Sequence, residues 1–157
     1  MHLGGRSMQG QSEILLVEDE DADADLASRA FRHAEAANSL VRVRDGVEAL
    51  DYLFARGKFA SRDVHDLPMF ILLDLNIPKV SGLEVLAEIR ANARTRHLPV
   101  IILTSSGEEK DRLSAYDRFA NSYIIKPLDY DKFVAATLQL SLYWCRLNAP
   151  PPPMVEA

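Results

Sequence analysis

Short apolar runs recur along the 157-residue chain and alternate with longer stretches of helical period. Glu13 to Val17 (EILLV), Ser39 to Arg44, Met69 to Leu73 (MFILL), Pro99 to Leu103 (PVIIL) and Ser122 to Ile125 (SYII) read as strands. Four of the five are nearly continuous aliphatic runs, which predicts strands covered on both faces. Between them, Asp21 or Asp23 caps a helix running towards Ala36, with Leu26, Ala30, Phe31 and Ala34 on one face. Asp45 caps a second helix that carries Val47, Leu50, Tyr52 and Leu53 and stops at Gly57. Ser81 precedes a third, with Leu83, Val85, Leu86 and Ile89; a fourth starts at Glu108 or Glu109 and ends near Phe119. Asp129 caps a fifth that reaches about Arg146. This alternation predicts an α/β fold, with five parallel strands and helices on both faces of the sheet.

The length suits one compact domain over residues 13–147, preceded by a polar, glycine-rich flexible leader (residues 1–12). Residues 148–157 form a proline-rich tail that reads as extended polyproline, a plain tail rather than a proline-motif ligand. Hydrophobic residues at 48% suffice for a core, and a net charge of −5 without a basic cluster argues against nucleic-acid binding. Cys145 is the only cysteine, which excludes an intrachain disulfide or a cysteine-based metal site and suits a cytoplasmic location. No apolar run approaches the roughly 20 residues a membrane span needs, and the leader lacks the apolar stretch of a signal peptide.

An open parallel sheet gathers its chemistry beyond the carboxyl ends of its strands. The residues there are Glu18, Asp19 and Glu20, then Asp74 and Asn76, then Thr104, Ser105 and Ser106, and finally Lys126 before Pro127. Glu18, Asp19 and Asp74 at one rim would repel one another unless a cation sits between them. Mg²⁺, a hard octahedral ion that keeps several waters, suits these carboxylates together with the Asn76 backbone carbonyl. The plainer reading makes Glu18 and Asp19 helix caps, and it weakens once Asp74 is set beside them. Lys126 offers a compact positive charge for a phosphoryl oxygen, held extended by the proline after it, with a cis bond at Lys126–Pro127 open to the sequence. The Thr104 hydroxyl could donate to the same group, and the small residues 105–107 leave room for it. An ordinary strand-end turn is the competing reading at Thr104.

Taken together, LLVEDE (Leu15 to Glu20), LLDLNIPKVSG (Leu72 to Gly82), IILTSS (Ile101 to Ser106) and SYIIKPL (Ser122 to Leu128) resemble the receiver domain of bacterial two-component response regulators. The resemblance spans roughly Glu13 to Arg146. It implies a flavodoxin-like sheet in the order 2-1-3-4-5 and Asp74 as the acceptor of a phosphoryl group from a sensor histidine kinase. Glu18 and Asp19 would hold Mg²⁺ with Asp74 and the Asn76 carbonyl, Lys126 would pair with the phosphoryl group, and Thr104 would be drawn towards it. Tyr123 would be the aromatic switch, against the alternative of a half-buried strand tyrosine. Pro78 and Gly82 would shape the loop after Asp74, and Asn76 and Ser106 would flank the route of a hydrolytic water. The acidic pair begins with Glu18 where the family pattern has aspartate; the longer side chain is still expected to serve the metal, directly or through water.

Such a protein is not an enzyme beyond Mg²⁺-dependent self-phosphorylation and slow dephosphorylation. With no effector domain after the fifth helix, its output is expected to be a protein contact. Tyr130 to Leu147 carries more apolar residues than one sheet-facing stripe needs, which points to a self- or partner-binding face or to a wide stripe under the tail. The Lys58 to Pro68 stretch, the Asn76–Pro78 loop and the last helix resemble single-domain regulators of bacterial phytochromes, which implies a phytochrome kinase and a homodimer. A phosphorylation-independent adaptor is the alternative, disfavoured by the complete set of site residues. A flavin protein of similar topology would be yellow. An aspartyl-phosphatase would want a second aspartate at Asn76, and no G-x-x-x-x-G-K-[ST] loop exists for nucleotide.

Overall fold

A computed structural model describes residues 13–33, 39–127 and 129–152. Five strands, β1 (Glu13–Val17), β2 (Ser39–Val43), β3 (Phe70–Leu73), β4 (Val100–Thr104) and β5 (Ser122–Ile125), form one parallel sheet in the order β2-β1-β3-β4-β5. The helices are α1 (Asp21–His33), α2 (Gly46–Phe54), α3 (Gly82–Ala91), α4 (Glu109–Asp117) and α5 (Tyr130–Leu140). The leader, Ala34 to Ala36 and the end of the tail lie outside the described residues.

Alternation along the strands splits the core in two. Leu15, Val17, Ile71, Leu73, Val100 and Ile102 pack against Leu53 of α2 and Val85, Leu86 and Ile89 of α3. Ile14, Leu16, Phe70, Leu72 and Ile101 face the opposite way, onto Ala27, Ala30 and Phe31 of α1 and Phe133 and Leu140 of α5. Every residue of β3 and β4 is buried, as expected of central strands under helices on both sides. The expectation of two-sided cover fails for β5: it is an edge strand, half-buried, and Ile125 is exposed. Its aliphatic sequence resembles a central strand because a short apolar run carries no record of how many neighbours it has.

Three helix starts follow their caps. Asp45, Ser81 and Asp129 accept amide hydrogen bonds from Glu48, Glu84, and Asp131 with Lys132, respectively. Asp21 and Asp23 instead lie within α1, as its first and third residues. The second helix ends on Ala55 in the left-handed region (φ 52°), with Gly57 (φ 55°) opening a 3₁₀ turn beyond it. The last helix continues past Leu140 as a wider π turn over Ser141–Leu147, closed by an Asn148 amide bond to the Tyr143 carbonyl. Among the described residues no peptide bond is cis, so the Lys126–Pro127 bond is trans.

The loop from Asp74 to Ser81 is pinned against glycines. A Cβ on Gly82 would lie 2.4 Å from the Asp74 carbonyl oxygen, and one on Gly46 2.0 Å from that of Val80. The Gly82 amide donates to Leu75, and that of Gly46 to Pro78. Bare backbone at both places lets the loop after β3 lie flat on the ends of α2 and α3. Before β3, the 58–68 stretch is tied down by Arg62, which donates to the Tyr52 and Asp66 carbonyls and stacks 3.6 Å over the Tyr52 ring.

Candidate functional site

Register brings the strand ends together. Val17 pairs with Leu73, and the Asp74 amide donates to the Val17 carbonyl at 3.1 Å, so the carboxylates after β1 and β3 emerge side by side. Glu18, Asp19 and Asp74 each present an oxygen within 4.8 Å of the others. Thr104 pairs with Ile125 at the far end of the β4–β5 ladder, and the Lys126 amide donates to the Thr104 carbonyl at 2.7 Å. That bond turns the chain so that the Lys126 side chain returns across the rim to the acidic residues.

There the ammonium bonds Glu18, Asp74 Oδ2 at 2.9 Å and Asp23 Oδ2 at 2.9 Å. The Lys126, Glu18 and Asp74 side chains are 11%, 4% and 7% exposed, so these charges interact in a medium far less screening than water. Burial pushes the Glu18 carboxyl up to about 7; the Lys126 bond opposes this and the Asp74 charge adds to it. Burial works to lower the Lys126 ammonium, but its bonds to Glu18, Asp23 and Asp74 outweigh that and hold it above the ordinary lysine value. The second Asp74 oxygen accepts the Asn76 amide at 3.1 Å, and Glu18 also accepts the Glu20 amide at 3.2 Å.

The other expected residues flank this cluster. Thr104 is fully buried, and its hydroxyl oxygen accepts the Ser106 amide at 3.3 Å. The Ser106 hydroxyl is itself engaged with Asp111 at 2.6 Å. Tyr123 is half-buried and donates its phenolic proton to the Ser106 carbonyl at 3.0 Å, which ties β5 to the loop before α4. Pro78 is exposed in the loop beside the site.

Two participants escape a reading by motif. Asp23 looks like one of several acids at a helix start, yet it reaches Lys126. Successive helical residues turn about 100°, so Asp21 and Asp25 share a face and Asp23 points away from both. Asp21 accordingly meets Arg42 and Arg44, Asp25 pairs with Arg29, and Asp23 turns to the site. Arg42 of β2 is the second, donating through Nε to the Glu18 carbonyl at 2.8 Å. The helical phase of the DADAD run (Asp21 to Asp25) would have singled out Asp23, whereas Arg42 depends on strand order.

The response regulator receiver domain profile matches residues 14–138. The chain belongs to the response regulator receiver family. A probable methanogenesis regulatory protein, FilR2 of Methanothrix harundinacea, is 40% identical over 140 residues, covering 89% of this chain and 88% of that one. The crystal structure of the phosphorylated cyanobacterial phytochrome response regulator RcpA matches at a TM-score of 0.84 and 35% identity, over 90% of this chain and 99% of that one. The Mn²⁺-bound form of response regulator Rcp1 matches at a TM-score of 0.83 and 33% identity, with the same coverage; Rcp1 is a Synechocystis protein. The neighbours show this receiver to be similar to phytochrome response regulators, with the doubly wound 2-1-3-4-5 sheet expected of it.

The acidic pocket suits a hard divalent cation. Glu18, Asp19 and Asp74 each offer a carboxylate oxygen, and together with Asp23 they set four carboxylates about one ammonium, so formal negative charge remains in excess. The upward shift of Glu18 comes first from its burial, with the Asp74 charge a smaller contribution in the same direction. Glu18 reaches the cluster despite standing where the family pattern has aspartate. Among the described residues no helix is long and apolar enough to cross a membrane.

Proposed function

We propose that this receiver accepts a phosphoryl group on Asp74 from a phosphohistidine of a sensor kinase. The observation that carries the reading is the Lys126–Asp74 contact at 2.9 Å inside the acidic cluster, which sets a carboxylate nucleophile beside a fixed positive charge. In the transfer an Asp74 oxygen forms the bond to phosphorus as the phosphorus–nitrogen bond of the donor breaks. The electron pair leaves with the imidazole, which takes up a proton. Negative charge spread over the phosphoryl oxygens meets the Lys126 ammonium. Mg²⁺ held by Glu18, Asp19, Asp74 and the Asn76 backbone carbonyl supplies further charge cancellation when bound.

The Thr104 hydroxyl, beside the rim, then moves towards the phosphoryl group, and the Ser106 loop moves with it because Ser106 bonds both Thr104 and Tyr123. Tyr123 loses its bond to the Ser106 carbonyl and turns inward. The next element, α4, is lightly held, with Ala115 as its one buried residue. Its outward Leu113 and Tyr116, with Phe119 beyond, form an apolar surface that the loop can reposition. Output is thus a changed protein-binding surface. The protein acts as a switch with slow self-dephosphorylation and not as an enzyme on other substrates. Likeness to RcpA, a phytochrome response regulator, supports a phytochrome as the kinase; a cytoplasmic setting is part of the same proposal. Leu138, Leu142, Tyr143 and Leu147 stay exposed beside residues 149–152, which are exposed themselves, and they support a homodimer face.

Incubation with acetyl phosphate, with and without Mg²⁺, followed by intact mass tests the central step. One added phosphoryl group is expected, dependent on Mg²⁺ and absent in Asp74→Asn. A wild-type protein that stays unmodified, or a modified Asp74→Asn, refutes it.

A further inference from the structure

We infer that Asp23 is a positioning residue for Lys126, keeping the ammonium at the rim while its other two partners change roles. The inference rests on the phosphorylation of Asp74 proposed above. An ammonium has three protons to donate, and those of Lys126 go to Glu18, Asp74 and Asp23. Glu18 and Asp74 belong to the oxygen cluster that suits a divalent cation, and Asp23 does not. Once a cation draws on Glu18 and Asp74, two of the three bonds weaken. Once Asp74 becomes an acyl phosphate, it loses the charge that held the ammonium. Asp23 undergoes neither change. It sits in the first turn of α1, whose Ala24, Ala27 and Ala30 are buried against the sheet, so its backbone is fixed relative to β5.

The consequence is a division of labour among the three donors. One proton stays with Asp23, and a second is free to swing from Asp74 onto a phosphoryl oxygen. Lysine has a long, flexible stem, and without an anchor its ammonium would sample positions away from the reacting group. The neighbouring acids of α1 cannot substitute, because Asp21 is held by Arg42 and Arg44 and Asp25 by Arg29. The short aspartate reaches the rim only because residue 23 falls on the helix face turned towards Lys126.

The test compares Asp23→Asn, Asp23→Glu and Asp25→Asn, each checked for native circular dichroism, at Mg²⁺ concentrations that saturate each protein. Asp25→Asn removes an equal charge from the same helix without touching Lys126. Phosphorylation by acetyl phosphate should slow about tenfold in Asp23→Asn, recover in part in Asp23→Glu, and stay at the wild-type rate in Asp25→Asn. In a Lys126→Met background, Asp23→Asn should cause no further slowing, because the anchor then has nothing to hold. A second readout is independent of the reaction. The Nζ–H signals of Lys126 in ¹⁵N-edited NMR should persist in Mg²⁺-saturated wild-type protein and broaden away in Asp23→Asn. Equal rates and equal ammonium signals in Asp23→Asn and Asp25→Asn overturn the inference, as does additive slowing in the Lys126→Met background. If the wild type takes up no phosphoryl group, the proposed reaction fails, and the ammonium signal alone decides whether Asp23 holds Lys126.

Discussion

Arg42 Nε donates to the Glu18 backbone carbonyl at 2.8 Å, so a residue near the end of the edge strand β2 holds the backbone that carries the first carboxylate of the acidic cluster. Its Nη1 reaches Asp21 at 2.9 Å, which ties the start of α1 to the same point. The guanidinium forks between backbone and carboxylate and so fixes the short link from β1 to α1, on which Glu18 and Asp19 stand.

Arg42→Gln should therefore loosen Glu18 and Asp19 without removing either. A several-fold loss of Mg²⁺ affinity in calorimetry is expected, together with about 1 kcal/mol of stability by denaturant titration. Unchanged affinity would show that the link holds its shape without the arginine.

Mg²⁺ should stabilise the folded chain against heat, by about 2.7 kcal/mol at a concentration 100 times its dissociation constant. Asp19→Asn should reduce that gain, and chelator should reverse it in the wild type. A melting temperature blind to Mg²⁺ would argue against a metal in the cluster.

Gly82→Ala places a methyl group 2.4 Å from the Asp74 carbonyl and 2.6 Å from the Leu75 Cα, where backbone and not a yielding side chain stands in the way. A loss of about 1–3 kcal/mol is expected, with Asp74 displaced and phosphorylation slowed. Chemical denaturation and the acetyl phosphate assay read the two effects separately.

Leu142→Ser and Leu147→Ser alter residues 44% and 76% exposed, so stability should change by no more than about 0.5 kcal/mol. Light scattering across concentration should show a dimer for the wild type and a shift towards monomer in both variants. A wild type that is monomeric with and without phosphorylation would remove this face as a dimer contact.

The half-buried Cys145 titrates late. Burial raises its thiol above the ordinary cysteine value, against a Ser141 hydrogen bond and the Arg146 charge. Its folded pKa exceeds the unfolded one, so any stability it lends is whole below the unfolded value and is lost as pH climbs through the folded value. Alkylation by iodoacetamide at neutral pH should run several-fold slower than in the denatured chain and accelerate as pH rises. Equal rates in folded and denatured protein would contradict this.

What the sequence determined by itself was the alternation of elements and the position of chemistry at strand ends. Both rest on local periodicity: the aliphatic run FILL forms β3, which is buried along its whole length, and Asp74 follows it directly. Caps with an adjacent acceptor, at Asp45, Ser81 and Asp129, were equally local and were legible for that reason. The edge position of β5 and the pairing of Asp23 with Lys126 were decided in the tertiary structure. Each depends on what lies across the sheet or around a helix, at separations such as the 103 residues between Asp23 and Lys126. Asp74 illustrates both levels: a local pattern singles out the carboxylate, whereas the ammonium beside it arrives only because β4 lies between β3 and β5 and turns Lys126 back over the rim.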